Sequence, residues 1–301
     1  MLPFTDKCSA SLLLEGAPSF PIAIGGVSQP KSSLGDIGVN SQDAFGLYIG
    51  NRLIIGVVSD GCGSGAAITQ DQARCSSNEL GARLLVQATI HRCLKILSAP
   101  QGLLSPRQPL DKTFLHTLTK GLLKSLATTV KTFCSKDEAM RERFICDNLM
   151  ATILGVVVAE DHFLVFGCGD GYIGVNDEIV SLKDQEGKYL ANNLLLTLCP
   201  RTHKDPRLTS QLDSLATSTT EDLRAVVLAT DGFAPVHSAD ASFFQNILNE
   251  PPPSTQVNAG HDRLLRELRR RLLTGPAKEV EFRDDATLIS VRRTQTPAQH
   301  D

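Results

Sequence analysis

Four acidic positions in this chain stand in chemically similar places. Asp60 closes the apolar, β-branched run Leu53-Ile54-Ile55-Gly56-Val57-Val58-Ser59 and is followed by Gly61. Asp231 closes Ala225-Val226-Val227-Leu228-Ala229-Thr230 in the same way and is followed by Gly232. Arg283-Asp284-Asp285 precedes Ala286-Thr287-Leu288-Ile289-Ser290-Val291, and Asn40-Ser41-Gln42-Asp43-Ala44 leads into Phe45-Gly46-Leu47-Tyr48-Ile49. Each apolar run reads as a strand, so each carboxylate falls at a strand end. A carboxylate at the mouth of a buried strand is costly to desolvate unless positive charge neutralises it. No Lys or Arg adjoins Asp60 or Asp231 in sequence. Carboxylates from separate strand ends can converge in a folded domain, and an oxygen-only set suits a hard divalent cation such as Mg²⁺ or Mn²⁺. Taken singly, an Asp-Gly at a strand end is usually a turn.

The elements that must position these groups follow from hydrophobic periodicity. Residues 1–20 read as an N-terminal extension with a few apolar anchors. A strand is predicted at Pro21-Ile22-Ala23-Ile24, and the Gly-, Ser-, Pro- and Asn-rich stretch 25–42 reads as loop. Strands follow near 44–49 and 52–59 around a Gly50-Asn51 turn. Gly61-Cys62-Gly63-Ser64-Gly65 opens a helical region over about 66–97. A Pro-containing connector, 98–109, leads to a second helix over about 111–135, where Leu115, Leu118, Leu122, Leu126, Val130 and Phe133 recur at spacings of three and four. Strand signals at 151–159 and 162–168, then 172–175 and 179–182, read as one antiparallel meander. Residues 183–220 read as an irregular polar excursion over the surface. A strand at 224–230, short helices near 240–249 and 261–273, a last strand at 286–292 and a frayed tail, 294–301, complete the chain. Helices and strands come in blocks rather than in βαβ alternation, which favours an α+β fold with helices covering antiparallel sheets.

Bulk properties narrow the function. The 301 residues are 42% hydrophobic and 21% charged, an ordinary globular composition. A chain of this length can bury roughly 75% of its unfolded surface without disulfide staples. A net charge of −3 and a pI near 6.2 argue against a basic nucleic-acid-binding face. No apolar run approaches the roughly 18 residues of a membrane span, and Met1-Leu2-Pro3-Phe4-Thr5-Asp6-Lys7 does not open a secretory signal. The default expectation is a cytoplasmic location, with no membrane and no nucleic-acid partner. The eight cysteines form no Cys-x-x-Cys pair and read as small buried thiols rather than a zinc site.

Gln42-Asp43-Ala44, Val58-Ser59-Asp60-Gly61-Cys62-Gly63-Ser64-Gly65, Gly167-Cys168-Gly169-Asp170-Gly171, Ala229-Thr230-Asp231-Gly232-Phe233 and Asp284-Asp285-Ala286-Thr287-Leu288 occur in this order. The set resembles the metal-dependent protein phosphatases of type 2C, bacterial members above all, over a domain of residues 21–293. The resemblance implies a β-sandwich of two antiparallel sheets flanked by helices, with a binuclear Mg²⁺/Mn²⁺ centre at one edge. Carried over by position, Asp60 is the bridging carboxylate, the Gly61 carbonyl a further ligand, and Asp231 and Asp284 complete the first metal site. Asp43 holds the second ion, and Asp170 matches a position that helps hold a third, weaker one. Asp60 and Asp231 are the positions on which catalysis would depend.

The implied activity is hydrolysis of phosphoserine and phosphothreonine in proteins by an activated water, in signalling. The implied partner is a phosphorylated substrate, a cognate serine/threonine kinase or its targets, met by a monomer. Three departures stand out. Gly38 occupies the place of a phosphate-gripping Arg, which Lys31 or another base would have to replace. Cys62 replaces a His proposed as general acid, and Gln42 a Glu ligand. These changes motivate an alternative, a phosphatase-fold regulatory module that binds a phosphoprotein or kinase without turnover. A metal-dependent nuclease would use similar carboxylates but gains nothing from an acidic pI. Asp285 is expected to support its loop rather than bind metal.

Overall fold

The strand runs pair into two sheets packed face to face. The structure, a computed structural model, describes residues 9–14, 21–29, 42–62, 78–97, 110–134, 137–249, 266–268, 270–271, 282 and 284–294. The first sheet has six strands, in the order β1 (Ser9–Leu14), β3 (Ala44–Ile49), β4 (Leu53–Ser59), β5 (Ile153–Ala159), β6 (His162–Cys168) and β9 (Asp213–Thr219). The second has five, in the order β2 (Ile22–Gln29), β11 (Ala286–Arg293), β10 (Ala225–Ala229), β7 (Tyr172–Val175) and β8 (Glu178–Ser181).

The continuous apolar runs have a physical reason: these strands are buried on both faces. In β4, Ile54 and Val58 point between the sheets, against Ile24, Val226, Leu228 and Ile289 of the second sheet. Ile55 and Val57, one residue out of phase, point to the helices on the other side. In β10, Val226 and Leu228 point inward while Val227 and Ala229 face α5 (Ala234–Ala239) and α6 (Phe243–Leu248). Helices therefore close both outer faces.

The first sheet is covered by α1 (Glu79–Leu97), α2 (Lys112–Phe133), α3 (Glu138–Asn148) and α4 (Asn192–Leu198). Helix α2 follows its sequence pattern closely. Asp111 caps its start, accepting hydrogen bonds from Thr113 N at 2.8 Å and Phe114 N at 3.2 Å. Leu115, Leu118, Leu122, Leu126 and Val130 form its buried stripe, each side chain contributing about 1.5–3 kcal/mol of burial.

Several expectations need correction. Strand β2 runs on to Gln29, through the predicted loop, because β11 pairs with it along its whole length. Gly26 belongs to that stretch, and a Cβ there would lie 2.7 Å from the Phe45 ring, so the two sheets close tightly at this point. The N-terminal segment contributes β1, which pairs parallel to β3; the antiparallel character of the sheets has this one exception among the described strands. The meander is divided: β5 and β6 lie in the first sheet, and β7 and β8 in the second. Residues 183–220 are not merely an excursion, since they supply α4 and the edge strand β9. Helix α3 was not anticipated, as it buries only Ile145 fully. The helix expected at 66–97 is described from Glu79, and residues 63–77 lie outside the described residues, as do Gly38 and Lys31.

Candidate functional site

Register brings the acidic strand ends to one edge of the sandwich. In the first sheet Ala44 pairs with Ser59, which sets Asp43 and Asp60 side by side just beyond the ladder. In the second sheet Ala229 pairs with Leu288, so Asp231 and the Asp284-Asp285 segment leave the ladder together. Tyr172 pairs with Ala229, and Ile153 with Cys168. Gly169-Asp170-Gly171 is thus the crossing from the first sheet to the second at this same edge. Both of its glycines have positive φ, +104° and +134°, which explains their identity.

The second residue of each Asp-Gly serves close approach. A Cβ on Gly61 would lie 2.7 Å from the Asn78 backbone and 2.9 Å from the Gln42 carbonyl. A Cβ on Gly232 would lie 1.9 Å from the Asp285 carbonyl. In each sheet, one acidic segment can fold onto the other only because glycine separates them. Threonines then lock the pieces. Thr152 accepts from Asp60 N at 3.1 Å, and its own N–H donates to the Asp60 carbonyl at 2.9 Å. Thr230 donates its hydroxyl to Asp43 at 2.8 Å and accepts from Thr287 N at 2.9 Å, tying the two sheets together beside the acids. The bonds around Gly61 run from Cys62 N to Met150 O and from Thr152 N to Asp60 O, so neither engages the Gly61 carbonyl.

The carboxyls of Asp43 and Asp60 touch at hydrogen-bonding distance, and so do those of Asp60 and Asp231. Asp43 is 1% exposed. Burial, with a smaller contribution from Asp285, pushes its carboxyl up to about 8 against the hydrogen bonds from Asp60 and Thr230. Burial first, then Asp43 and Asp231, hold Asp60 well above the usual carboxylate range. Burial and Asp231 raise Asp170 to about 6. Carboxylates crowded in this way are stabilised in their ionised form by cations.

Of the residues singled out in sequence, Asp43, Asp60 and Asp231 share one contiguous cluster, with Asp170 in electrostatic reach of Asp231. Asp284 lies in electrostatic reach of Cys62 at the same edge. It is exposed, and its carboxylate accepts from Asp285 N at 2.9 Å. Asp285 is the buried member of the pair and accepts from Gln42 N at 2.5 Å, bracing the Asp43 segment. Among the described residues, no three His, Cys, Asp or Glu side chains surround a common point at ligating distance. The donor set nevertheless fits a hard cation: all oxygen, several acids, and a buried Asp231 Oδ1 without a hydrogen-bond partner.

The sequence model of protein phosphatase 2C matches residues 36–276. The chain belongs to the protein phosphatase 2C family. No curated protein matches it significantly. Among solved structures, a bacterial serine phosphatase superposes with a TM-score of 0.52 at 12% identity, covering 91% of this chain and 99% of that one. The serine/threonine phosphatase PstP/Ppp of Mycobacterium tuberculosis gives 0.46 at 15% identity, covering 91% and 99%. PppA of Pseudomonas aeruginosa, a regulatory component of T6SS, gives 0.48 at 15%, covering 92% and 99%. At 12% identity the likeness to the bacterial serine phosphatase is one of fold.

Within this protein phosphatase 2C chain, two side chains at the acidic edge were not legible in the motifs. Asn78, 2% exposed, donates to the Cys62 carbonyl at 2.7 Å and accepts from Met150 N at 3.1 Å. It clamps the segment after β4 to the start of α1. Tyr189 hydrogen-bonds the Cys62 thiol from the segment between β8 and α4. Burial and the surrounding Asp170, Asp231 and Asp284 push the Cys62 thiol up. All six described cysteines are free.

Proposed function

We propose that this chain is a metal-dependent phosphatase of phosphoserine and phosphothreonine in proteins, with residues 21–293 as its functional unit. Family membership supports the reaction class. The observation that carries the site assignment is the contact series Asp43–Asp60–Asp231, gathered from both sheets at one edge. Asp60 and Asp231, with the Gly61 carbonyl, Asp43, Asp170 and Asp284, would hold two Mg²⁺ or Mn²⁺ ions and a weaker third. When bound, such ions supply positive charge to phosphoryl oxygens and make nearby water more acidic.

The chain's own residues do the rest. Thr152 and Thr230 fix the Asp60 backbone and the Asp43 carboxyl, so the acids are held in place before any ion arrives. Gly61 and Gly232 let the acidic segments converge. The substrate partner would be a cognate serine/threonine kinase or its targets, met by a cytoplasmic monomer. No helix among the described residues is long and apolar enough to cross a membrane.

Turnover of p-nitrophenyl phosphate and a phosphothreonine peptide should require Mn²⁺ or Mg²⁺, and Asp60→Asn or Asp231→Asn should lower kcat by at least about a hundredfold, on the order of a lost electrostatic stabiliser. Full activity in either variant would refute the assignment. One observation favours a second reading. Cys62 stands where several relatives carry a His proposed as general acid, and burial pushes its thiol pKa up. A regulatory module would bind Mn²⁺ and a phosphoprotein with no turnover, which parallel calorimetry and rate assays distinguish.

A further inference from the structure

The acidic edge is built from acceptors. Carboxylates ionised around a cation offer no hydrogen to a phosphoryl group, whose oxygens are acceptors too. Tyr189 brings a hydroxyl to this wall. It rests on the Cys62 sulfur and lies in electrostatic reach of Asp60 and Asp170. Cys62 in turn is in reach of Asp170, Asp231 and Asp284, so the pair stands amid the acids rather than beside them.

The backbone that carries Tyr189 is pinned on both sides. Its own carbonyl accepts from Asn192 N at 3.0 Å, and the Lys188 carbonyl accepts from the Cys168 thiol at 3.4 Å. The Gly187 carbonyl accepts from Asn192 Nδ2 at 3.0 Å, and Leu190 is fully buried. A half-buried tyrosine held in this way is a pre-positioned donor.

We infer that Tyr189 is a substrate-positioning residue: when the phosphoester binds, its one hydroxyl hydrogen turns from the Cys62 sulfur to a phosphoryl oxygen, and the Cys62 S–H donates to the phenol oxygen in its place; this rests on the phosphatase assignment. Cys62 acts through Tyr189, by orienting the phenol.

The test compares wild type, Tyr189→Phe, Cys62→Ala and Cys62→Ser in saturating Mn²⁺. Two quantities are read: KM and kcat for p-nitrophenyl phosphate, and the dissociation constant of inorganic phosphate by calorimetry. Losing one hydrogen bond to a charged oxygen should raise KM and the phosphate dissociation constant about tenfold in Tyr189→Phe, with kcat changed less than about twofold. Cys62→Ala should shift both constants in the same direction, and Cys62→Ser, which keeps a polar seat for the phenol, should restore them. Unchanged KM and phosphate affinity in Tyr189→Phe would overturn the inference, as would a fall in kcat alone. If wild type turns nothing over, the phosphatase assignment fails, yet the phosphate titration still decides: weaker binding by Tyr189→Phe upholds the donor, and equal binding, or none by wild type, removes it.

Discussion

Gly232 and Gly61 show how single residues govern this site. Each follows an aspartate, and each occupies a place where a methyl group would meet the backbone of the neighbouring acidic segment. Gly232→Ala should destabilise the protein by about 1–3 kcal/mol through overpacking and abolish turnover, because relief requires the Asp284-Asp285 segment to move away. Urea unfolding beside a rate assay reads both effects, and a stable, active variant would show that the contact is unimportant. Thr230→Val tests the link between sheets. It keeps the shape but removes one of the donors to Asp43 and leaves Thr287 N without the Thr230 oxygen, at a cost of about 1–3 kcal/mol, and should weaken Mn²⁺ binding in calorimetry. The Asp-Gly pairs themselves were readable in sequence because a carboxylate ending an apolar run is physically conspicuous. Asn78, Thr152 and Tyr189 carry no such signal: each acts on a residue 16, 92 or 127 positions away, at Cys62, Asp60 and Cys62 respectively, and only the fold brings the partners together.

At the level of elements, legibility followed burial. Strands β3, β4, β5, β6 and β10, packed on both faces, announce themselves as continuous apolar runs. Strand β9 does not, since Asp213–Thr219 lies at a sheet edge and is largely exposed. Helix α3 is silent in the sequence for the same reason, having little apolar face to declare it. Local pattern also cannot say which sheet a strand joins: β6 and β7 are neighbours in sequence, yet Gly169-Asp170-Gly171 carries the chain from one sheet to the other, and it is this crossing that delivers Asp170 to the acidic edge. Asn78 connects elements rather than residues, bridging the segment after β4, the start of α1 and the approach to β5. Asn78→Ala should cost about 1–3 kcal/mol and raise amide exchange at Cys62 and Met150 before it affects α2, which hydrogen-exchange mass spectrometry resolves. Uniform loosening of α2 instead would place the residue in the core's stability rather than in the clamp.

Across the whole molecule, the two sheets hold several acids against one another, and the arrangement has a cost that depends on pH. Asp43 is raised to about 8 by burial, and Asp60 is raised by burial and its acidic neighbours. Between the unfolded carboxylate value near 4 and the folded value, the native state binds more protons than the unfolded chain. Stability is therefore greatest below about pH 4 for these groups and falls as pH rises through about 8. In EDTA the melting temperature should drop from pH 5 to pH 8. Mn²⁺ should reverse the trend, since it binds the ionised acids and releases their protons, adding about 2.7 kcal/mol at a hundredfold excess over its dissociation constant. A melting temperature indifferent to both pH and Mn²⁺ would show that the acids are not poised in this way.

The most direct test of the account is a calorimetric Mn²⁺ titration of the wild-type protein beside Asp60→Asn at neutral pH. The account predicts at least two ions bound per chain by wild type, with proton release, and loss of the tight sites in the variant. Wild type that takes up no Mn²⁺, or an Asp60→Asn protein that binds it with unchanged affinity and stoichiometry, would contradict it.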